Sequence, residues 1–234
     1  MTGAGVRLGR AMALALAEGG CDLVLHYRSS KSEVLGLQRH IERLGRRAKV
    51  LRADLSRGSA ALKLARDAER AFGRVDILIN SAAIFWPTKL ENLTQRELET
   101  FLTINLTSPY ILSAEIGKRM KHRGRGTIIN MACVSALRPW KTYVPYSISK
   151  AGVVALTGGM AKLLAPEVRV NAIAPGTVLP PEDMDTAQVR EIKRRLPLKK
   201  IGTPDDIVSA VLYLCRAPFV TGQVLCVDGG RSIV

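Results

Sequence analysis

Residues 22–53 read DLVLHYRSSKSEVLGLQRHIERLGRRAKVLRA. Two short apolar runs, 22–27 (DLVLHY) and 48–53 (AKVLRA), flank a longer amphipathic stretch at 31–44. The runs have strand length and the stretch between them has helix length. A strand, a helix and a second strand in this order are the signature of parallel pairing through a crossover helix.

The alternation continues outward. Further strand candidates fall at 75–80 (VDILIN), 127–131 (TIINM), 168–173 (VRVNAI) and 224–227. Helical stretches are expected at 8–18, 60–72, 94–107, 109–121, 147–164, 184–195 and 204–215. Thr203-Pro204-Asp205-Asp206 is a good helix start, with an N-cap residue, proline at the first position and acids in the first turn. No linker, repeat or low-complexity segment breaks the pattern, so 1–234 reads as one domain. The expected fold is α/β: a doubly wound parallel sheet of Rossmann type with helices on both faces.

Composition narrows the function classes. Hydrophobic content of 47% and charged content of 24% suit a globular chain. No apolar run reaches about 18 residues, so no membrane span is expected, and the first residues lack the basic and apolar regions of a secretory signal. Cys21, Cys133, Cys215 and Cys226 are scattered without CxxC pairs, which points to reduced thiols and a cytoplasmic location. His26, His40 and His122 are equally dispersed, and no metal site is expected. Thirty-five Lys and Arg against 20 Asp and Glu give a net charge of +15. Such an excess can signal nucleic-acid binding. Here the basic residues are spread through helices without interleaved aromatics, which favours a solvated basic surface attracting a polyanionic cofactor over nucleic acid as partner.

Thr2-Gly3-Ala4-Gly5-Val6-Arg7-Leu8-Gly9 is a glycine-rich loop opening a helix. Gly3 permits a tight turn, Gly9 permits close helix packing, and the helix N-terminus faces a pyrophosphate. Such a loop should follow a strand, yet none precedes residue 2, so the first strand of the sheet is apparently missing from the chain. The expectation is a native start about 5–8 residues upstream, one strand length. The next strand ends in His26-Tyr27-Arg28-Ser29-Ser30, with no acid for a ribose 2′-hydroxyl but with Arg28 and Ser29 able to donate to a 2′-phosphate. NADP(H) is the expected cofactor.

Tyr146-Ser147-Ile148-Ser149-Lys150 places a phenol and an ammonium four residues apart, on one helix face. A neighbouring ammonium favours the phenolate and should bring the tyrosine toward the working range of a proton donor. This YxxxK motif is followed by Arg169-Val170-Asn171-Ala172-Ile173-Ala174-Pro175-Gly176. Together with the loop at Thr2, where Arg7 replaces the middle glycine of TGxxxGxG, the motifs resemble those of the short-chain dehydrogenase/reductase family, from Thr2 to about Arg231.

The resemblance implies further roles. Asn105 matches the family's catalytic Asn, which bends a helix and serves a proton relay from Lys150. Asp54 and Leu55 match the segment contacting adenine, and Asn80-Ser81-Ala82 matches a motif packed near the cofactor. Pro175, Gly176 and Thr177 match the segment at the nicotinamide amide, and Val227-Asp228-Gly229-Gly230 a segment near subunit contacts. Gly3, Arg7, Leu8, Gly9, Tyr27, Arg28 and Ser29 complete the implied cofactor set. One departure stands out: thirteen residues before Tyr146, where the family has a substrate-orienting serine, this chain has Cys133. A thiol is a weak donor and acceptor; Ser135 lies two residues on.

Arg7, the HY–Arg–Ser run and Asn80-Ser81-Ala82-Ala83-Ile84-Phe85-Trp86-Pro87-Thr88 resemble pteridine reductases of the same family, in which Phe85 or Trp86 would stack on a flat pterin. The rival resemblance is to 3-oxoacyl-carrier-protein reductases, whose acidic carrier protein would dock on the basic surface. A non-catalytic NADP-binding protein is the alternative of another class. Leu179-Pro180-Pro181-Glu182-Asp183 begins the variable substrate lid. The expected partners are a small-molecule substrate and further copies of the chain, as a homo-dimer or homo-tetramer.

Overall fold

The computed structural model describes residues 1–180 and 184–234. Pro181, Glu182 and Asp183, and with them part of the expected lid, lie outside the described residues.

The described residues form, in order, α1 (Arg7–Glu18), β1 (Leu23–Tyr27), α2 (Lys31–Arg43), β2 (Ala48–Arg52), α3 (Gly58–Phe72), β3 (Ile77–Asn80), α4 (Gln95–Leu102), α5 (Ser108–His122), β4 (Gly126–Met131), α6 (Val144–Leu164), β5 (Val168–Pro175), α7 (Thr186–Arg195), α8 (Pro204–Arg216) and β6 (Val224–Val227). Every ladder is parallel: β1 pairs with β2, and β3, β4, β5 and β6 pair in that order.

The pleat explains why the central strands read as continuous apolar runs. Neighbouring residues on a strand face opposite ways, and this sheet is covered on both sides. Ile79, Ile129 and Ile173 join Met12, Leu16, Leu37, Ile41, Ile207 and Val211 of α1, α2 and α8 in one core. On the opposite face of the same strands, Leu78, Ile128 and Val170 join Leu64, Leu112, Ile116, Met160 and Leu164 of α3, α5 and α6 in the other. Ile79, Ile128, Ile129 and Ile173 are almost fully buried, and each contributes about 1.5–3 kcal/mol by leaving water.

Between β1 and β3, residues 1–4 stitch the two ladders together. The Met1 carbonyl accepts from the His26 N–H at 3.0 Å, and the Ala4 N–H donates to the His26 carbonyl at 3.0 Å. On the other side the Thr2 N–H donates to the Ile79 carbonyl at 2.9 Å. These four residues stand where the strand ahead of the glycine loop was expected. Counting them, the sheet order is doubly wound with its switch point at the loop. Toward the amino ends of β1 and β3 lies a cavity of about 530 Å³, lined by Leu16, Leu23, Val24, Ile77, Leu78 and Leu112 among others.

Two expectations about helices are refined. The stretches at 94–107 and 109–121 form one continuous helical run, because the turn Thr103–Thr107 widens into a π-helix between α4 and α5. The helix carrying the YxxxK motif begins earlier than expected, at Val144, with Pro145 in its first turn. No helix among the described residues is long and apolar enough to cross a membrane.

Candidate active site

The carboxyl ends of the parallel strands converge on one edge of the sheet, where ligands of doubly wound folds bind. The glycine loop lies at the centre of this edge. Gly3 holds φ +63°, and a Cβ there would stand 2.8 Å from the Ala82 Cα. A Cβ on Gly9 would stand 1.9 Å from the Gly3 carbonyl oxygen, so the loop and α1 are in direct backbone contact. Thr2 ties the loop sideways: its hydroxyl accepts the N–H groups of Ser81 and Ala82 at 2.9 and 3.0 Å. Ser81 and Ala82 therefore fix the loop through their amides.

His26 ties the loop from the other side, a role the sequence reading missed. Its Nδ1 accepts the Gly3 N–H at 3.2 Å, and its Nε2 faces the Ala53 carbonyl at 3.1 Å. These bonds define a neutral ring protonated on Nε2. Burial pushes its pKa down to about 4.

Arg28 and Ser29 emerge from the end of β1 into solvent, whereas Tyr27 is buried and its carbonyl accepts from Ala53. Among the described residues no carboxylate comes within ion-pair distance of Arg28. Asp54 is exposed nearby, its carboxyl held below the usual range by hydrogen bonds from Ser56 and by the charges of Arg28 and Arg57. Leu55 is buried, and its carbonyl accepts from Ser108 at 2.8 Å. Arg7 holds φ +50°, where glycine is the relaxed residue. Its guanidinium donates to the Leu179 carbonyl across the cleft, and Leu8 is half-buried in the first turn of α1. The cradle of Gly3 and Gly9 fits a dinucleotide, and Arg28 beside it makes no ion pair among the described residues.

Asn80 donates to Ser113 and Asn130 at 3.0 and 2.8 Å, leaving its Oδ1 buried without a partner. Gly176 packs its backbone on Asp228 and donates to the Val227 carbonyl, following Pro175 at the end of β5. Thr177 receives a hydrogen bond from Arg231 on its hydroxyl.

The catalytic candidates meet beside this groove. Tyr146 and Lys150 share one face of α6, the Lys150 Nζ lying 5.7 Å from the Tyr146 ring centroid. Lys150 is 3% exposed and donates to the Met131 carbonyl at 2.6 Å. Burial lowers its pKa to about 8. Asn105 sits in the π-turn, where the widened backbone turns its amide inward. It accepts from the Ile84 N–H (2.9 Å) and donates to the Ile84 carbonyl and the Ser149 hydroxyl, both at 3.1 Å. The Ser149 hydroxyl in turn donates to the Tyr146 carbonyl at 2.6 Å.

The expected acidification of Tyr146 by Lys150 is not found. Burial, then the adjacent hydrogen-bonding Cys133 thiol, push the tyrosine well above its ordinary value. The ammonium donates to the Met131 carbonyl and lies over the ring, 5.7 Å from its centroid, so desolvation wins. Cys133 thus does occupy the position facing Tyr146. Ser135 does not replace it: its hydroxyl is fully buried without a partner, and its N–H points back to the Cys133 Sγ at 3.5 Å.

Aromatic side chains wall the space over Tyr146. Phe85, 44% exposed, stacks on Tyr143 with centroids 4.6 Å apart and stands edge-on to Tyr146 at 4.8 Å. Trp140 stands edge-on to both Phe85 and Tyr143. Trp86 turns away, against Phe101 and onto the Glu97 carboxylate. Trp140, Tyr143 and Arg231 were not singled out from the sequence; their only signal was proximity to YxxxK and to the C-terminal glycines.

Known proteins resemble the chain over nearly its whole length. Residues 3–232 match a family model described as enoyl-(acyl carrier protein) reductase. An uncharacterized oxidoreductase of Mycobacterium tuberculosis is 34% identical over 99% of this chain and 90% of its own. A 3-oxoacyl-[acyl-carrier-protein] reductase of Staphylococcus epidermidis is 30% identical over 98% and 96%. Among solved structures, the FolM alternative dihydrofolate reductase 1 of Brucella canis, complexed with NADP, superposes with a TM-score of 0.91 at 29% identity, over 100% of this chain and 93% of its own. With the motifs, the sheet order and the relatives in agreement, the chain belongs to the short-chain dehydrogenase/reductase family of oxidoreductases.

Proposed function

We propose that this chain is an NADPH-dependent reductase of a small carbonyl or imine substrate, with Tyr146 as the proton donor. The observation that carries the reading is the cluster of Tyr146, Lys150 and Asn105 beside a glycine cradle whose flanking cation, Arg28, makes no ion pair among the described residues.

A reduced nicotinamide, when bound, supplies the hydride. The protein's part is to hold the acceptor and deliver a proton to its oxygen or nitrogen. Tyr146 suits that part because burial keeps it a neutral phenol, a loaded acid. Lys150 holds a cation below it, which stabilises the phenolate left once the proton has gone. Asn105 positions both, gripping the Ile84 backbone on one side and Ser149 on the other. Gly3, Arg7, Leu8, Gly9, Arg28, Ser29, Asp54, Asn80, Pro175, Gly176 and Thr177 line the groove for the cofactor.

Within this reading the substrate is pteridine-like, a flat ring seated against Phe85. The likeness to a dihydrofolate reductase complexed with NADP supports it. The second reading, a 3-oxoacyl-carrier-protein reductase, is favoured by the staphylococcal relative and by the basic surface. The chain acts in the cytoplasm as a homo-dimer or homo-tetramer.

Fluorescence titration with NADPH and NADH tests the cofactor, and tighter NADPH binding is expected. Tyr146→Phe should abolish NADPH oxidation with any accepted substrate. Activity surviving that change would remove Tyr146 from its role, and cofactor binding without turnover on any carbonyl, imine or pterin would favour a non-catalytic NADP-binding protein.

A further inference from the structure

The segment after β6 brings a cation to the substrate side of this site. The Asp228 carboxylate accepts the N–H groups of Gly230 and Ser232 at 2.9 and 2.7 Å, fixing a short 3₁₀ turn, Arg231–Ile233. That turn aims Arg231 inward. Its guanidinium lies 4.4 Å from the Trp140 ring centroid and donates to the Thr177 hydroxyl. Trp140 is 6.3 Å from Phe85, and Phe85 is 4.8 Å from Tyr146. The aromatic wall therefore has the proton donor at one end and a guanidinium at the other.

Arg231 has more donors than partners. Of five N–H groups, a bond to Thr177 is made. Among the described residues no carboxylate comes within ion-pair distance of it. Asp228 is close enough to be felt, but its two oxygens are taken by backbone N–H groups. The guanidinium is half-buried, and desolvation lowers its pKa from the usual arginine value. A partly desolvated guanidinium with free donors is matched best by a carboxylate in bidentate contact.

We propose that Arg231 is the anion-recognition residue of the substrate pocket, and that the substrate is a flat, ring-sized molecule bearing a carboxylate. The ring lies along Phe85, Tyr143 and Trp140, and its carboxylate meets Arg231 while its reducible end meets Tyr146. This inference rests on the reading above, in which the space over Tyr146 holds the substrate.

The test needs no knowledge of the natural substrate. Benzoate and benzamide, a carboxylate and its neutral isostere, are titrated into the full chain with and without saturating NADP⁺, following tryptophan fluorescence and heat. The wild-type chain should prefer benzoate by about tenfold or more, the scale of a charge-assisted contact. Arg231→Gln should erase that preference while leaving NADP⁺ affinity within about twofold. Arg231→Lys, which keeps the charge but loses the planar fork, should retain part of it and serves should the glutamine variant not fold. Equal binding of benzoate and benzamide by the wild-type chain would overturn the proposal, as would a preference that survives both substitutions. A preference retained while NADP⁺ binding falls tenfold would assign Arg231 to the cofactor and overturn it too. If NADP⁺ does not bind at all, the reductase reading fails, while the titration on the chain alone still reads Arg231.

Discussion

Acidification should unlatch the cofactor loop through His26. Its ring is 3% exposed and bridges the Gly3 N–H and the Ala53 carbonyl, bonds that require Nδ1 to be a free acceptor. Burial has pushed its pKa from 6.5 to about 4. The unfolded chain therefore takes up a proton first as pH falls. The stability tied to the neutral ring is fully present above pH 6.5 and is lost progressively as pH falls toward 4. A gap of about 2.5 pH units, at about 1.4 kcal/mol each, is worth about 3 kcal/mol. That is a large part of the 5–15 kcal/mol typical of a domain. Urea unfolding of the wild type and of His26→Gln at pH 7.5, 6.5, 5.5 and 4.5 isolates this term, because the carboxylates titrate alike in both chains. The variant should be weaker at pH 7.5, and the difference should shrink by about 2–3 kcal/mol across the series, chiefly below pH 6.5. Two stability curves running parallel with pH would refute the reasoning.

Other substitutions probe the remaining parts. Gly3→Ala should cost at least about 2 kcal/mol, from the left-handed backbone and the close approach to Ala82; an unchanged melting temperature would show that the loop is not packed as described. Arg28→Gln should weaken NADPH about 10- to 150-fold, the worth of charged hydrogen bonds, and leave NADH nearly unaffected; an equal loss for both would remove Arg28 from the 2′-phosphate. Cys133→Ser, which puts a hydroxyl beside Tyr146, should raise kcat/KM by about five- to tenfold, the value of one ordinary hydrogen bond. A fall in steady-state turnover would mean that the thiol is the fitted group.

The sheet was legible in the sequence because burial on both faces leaves an unbroken apolar run: the runs at 22–27 and 48–53 each contain an observed strand, and the run at 168–173 forms the first part of β5. The motif residues were legible for a different reason: Gly3, Gly9, Tyr146 and Lys150 each stand in a common spacing, and it is their occurrence together in one chain that is specific. What stayed hidden depends on tertiary neighbours. His26 reads as a strand residue until Gly3 is placed 3.2 Å from its ring. Arg231 reads as a tail residue until Asp228 folds the turn that aims it at Trp140. At Asn105 the family resemblance implied a bent helix, but not that the bend would be a π-turn joining α4 to α5. The lowering of Tyr146 by Lys150 was misjudged because spacing gives the distance between two groups and says nothing of their solvent.

The hidden contacts share a logic. Loops at the carboxyl ends of parallel strands have no ladder of their own, so side chains must supply the bonds that fix them. Here those bonds run on from one loop to the next. Ala53 meets His26, His26 meets Gly3, and Thr2 holds Ser81 and Ala82. Ile84 then meets Asn105, Asn105 meets Ser149, and Ser149 meets the Tyr146 carbonyl. One path of hydrogen bonds and short backbone steps thus runs from Ala53, just past the end of β2, to Tyr146. Residues sharing partners in this way are energetically coupled, whereas distant ones are additive. The geometry at Tyr146 is therefore a property of the whole rim, and the tie in this path that acid can charge, His26, lies at its opposite end.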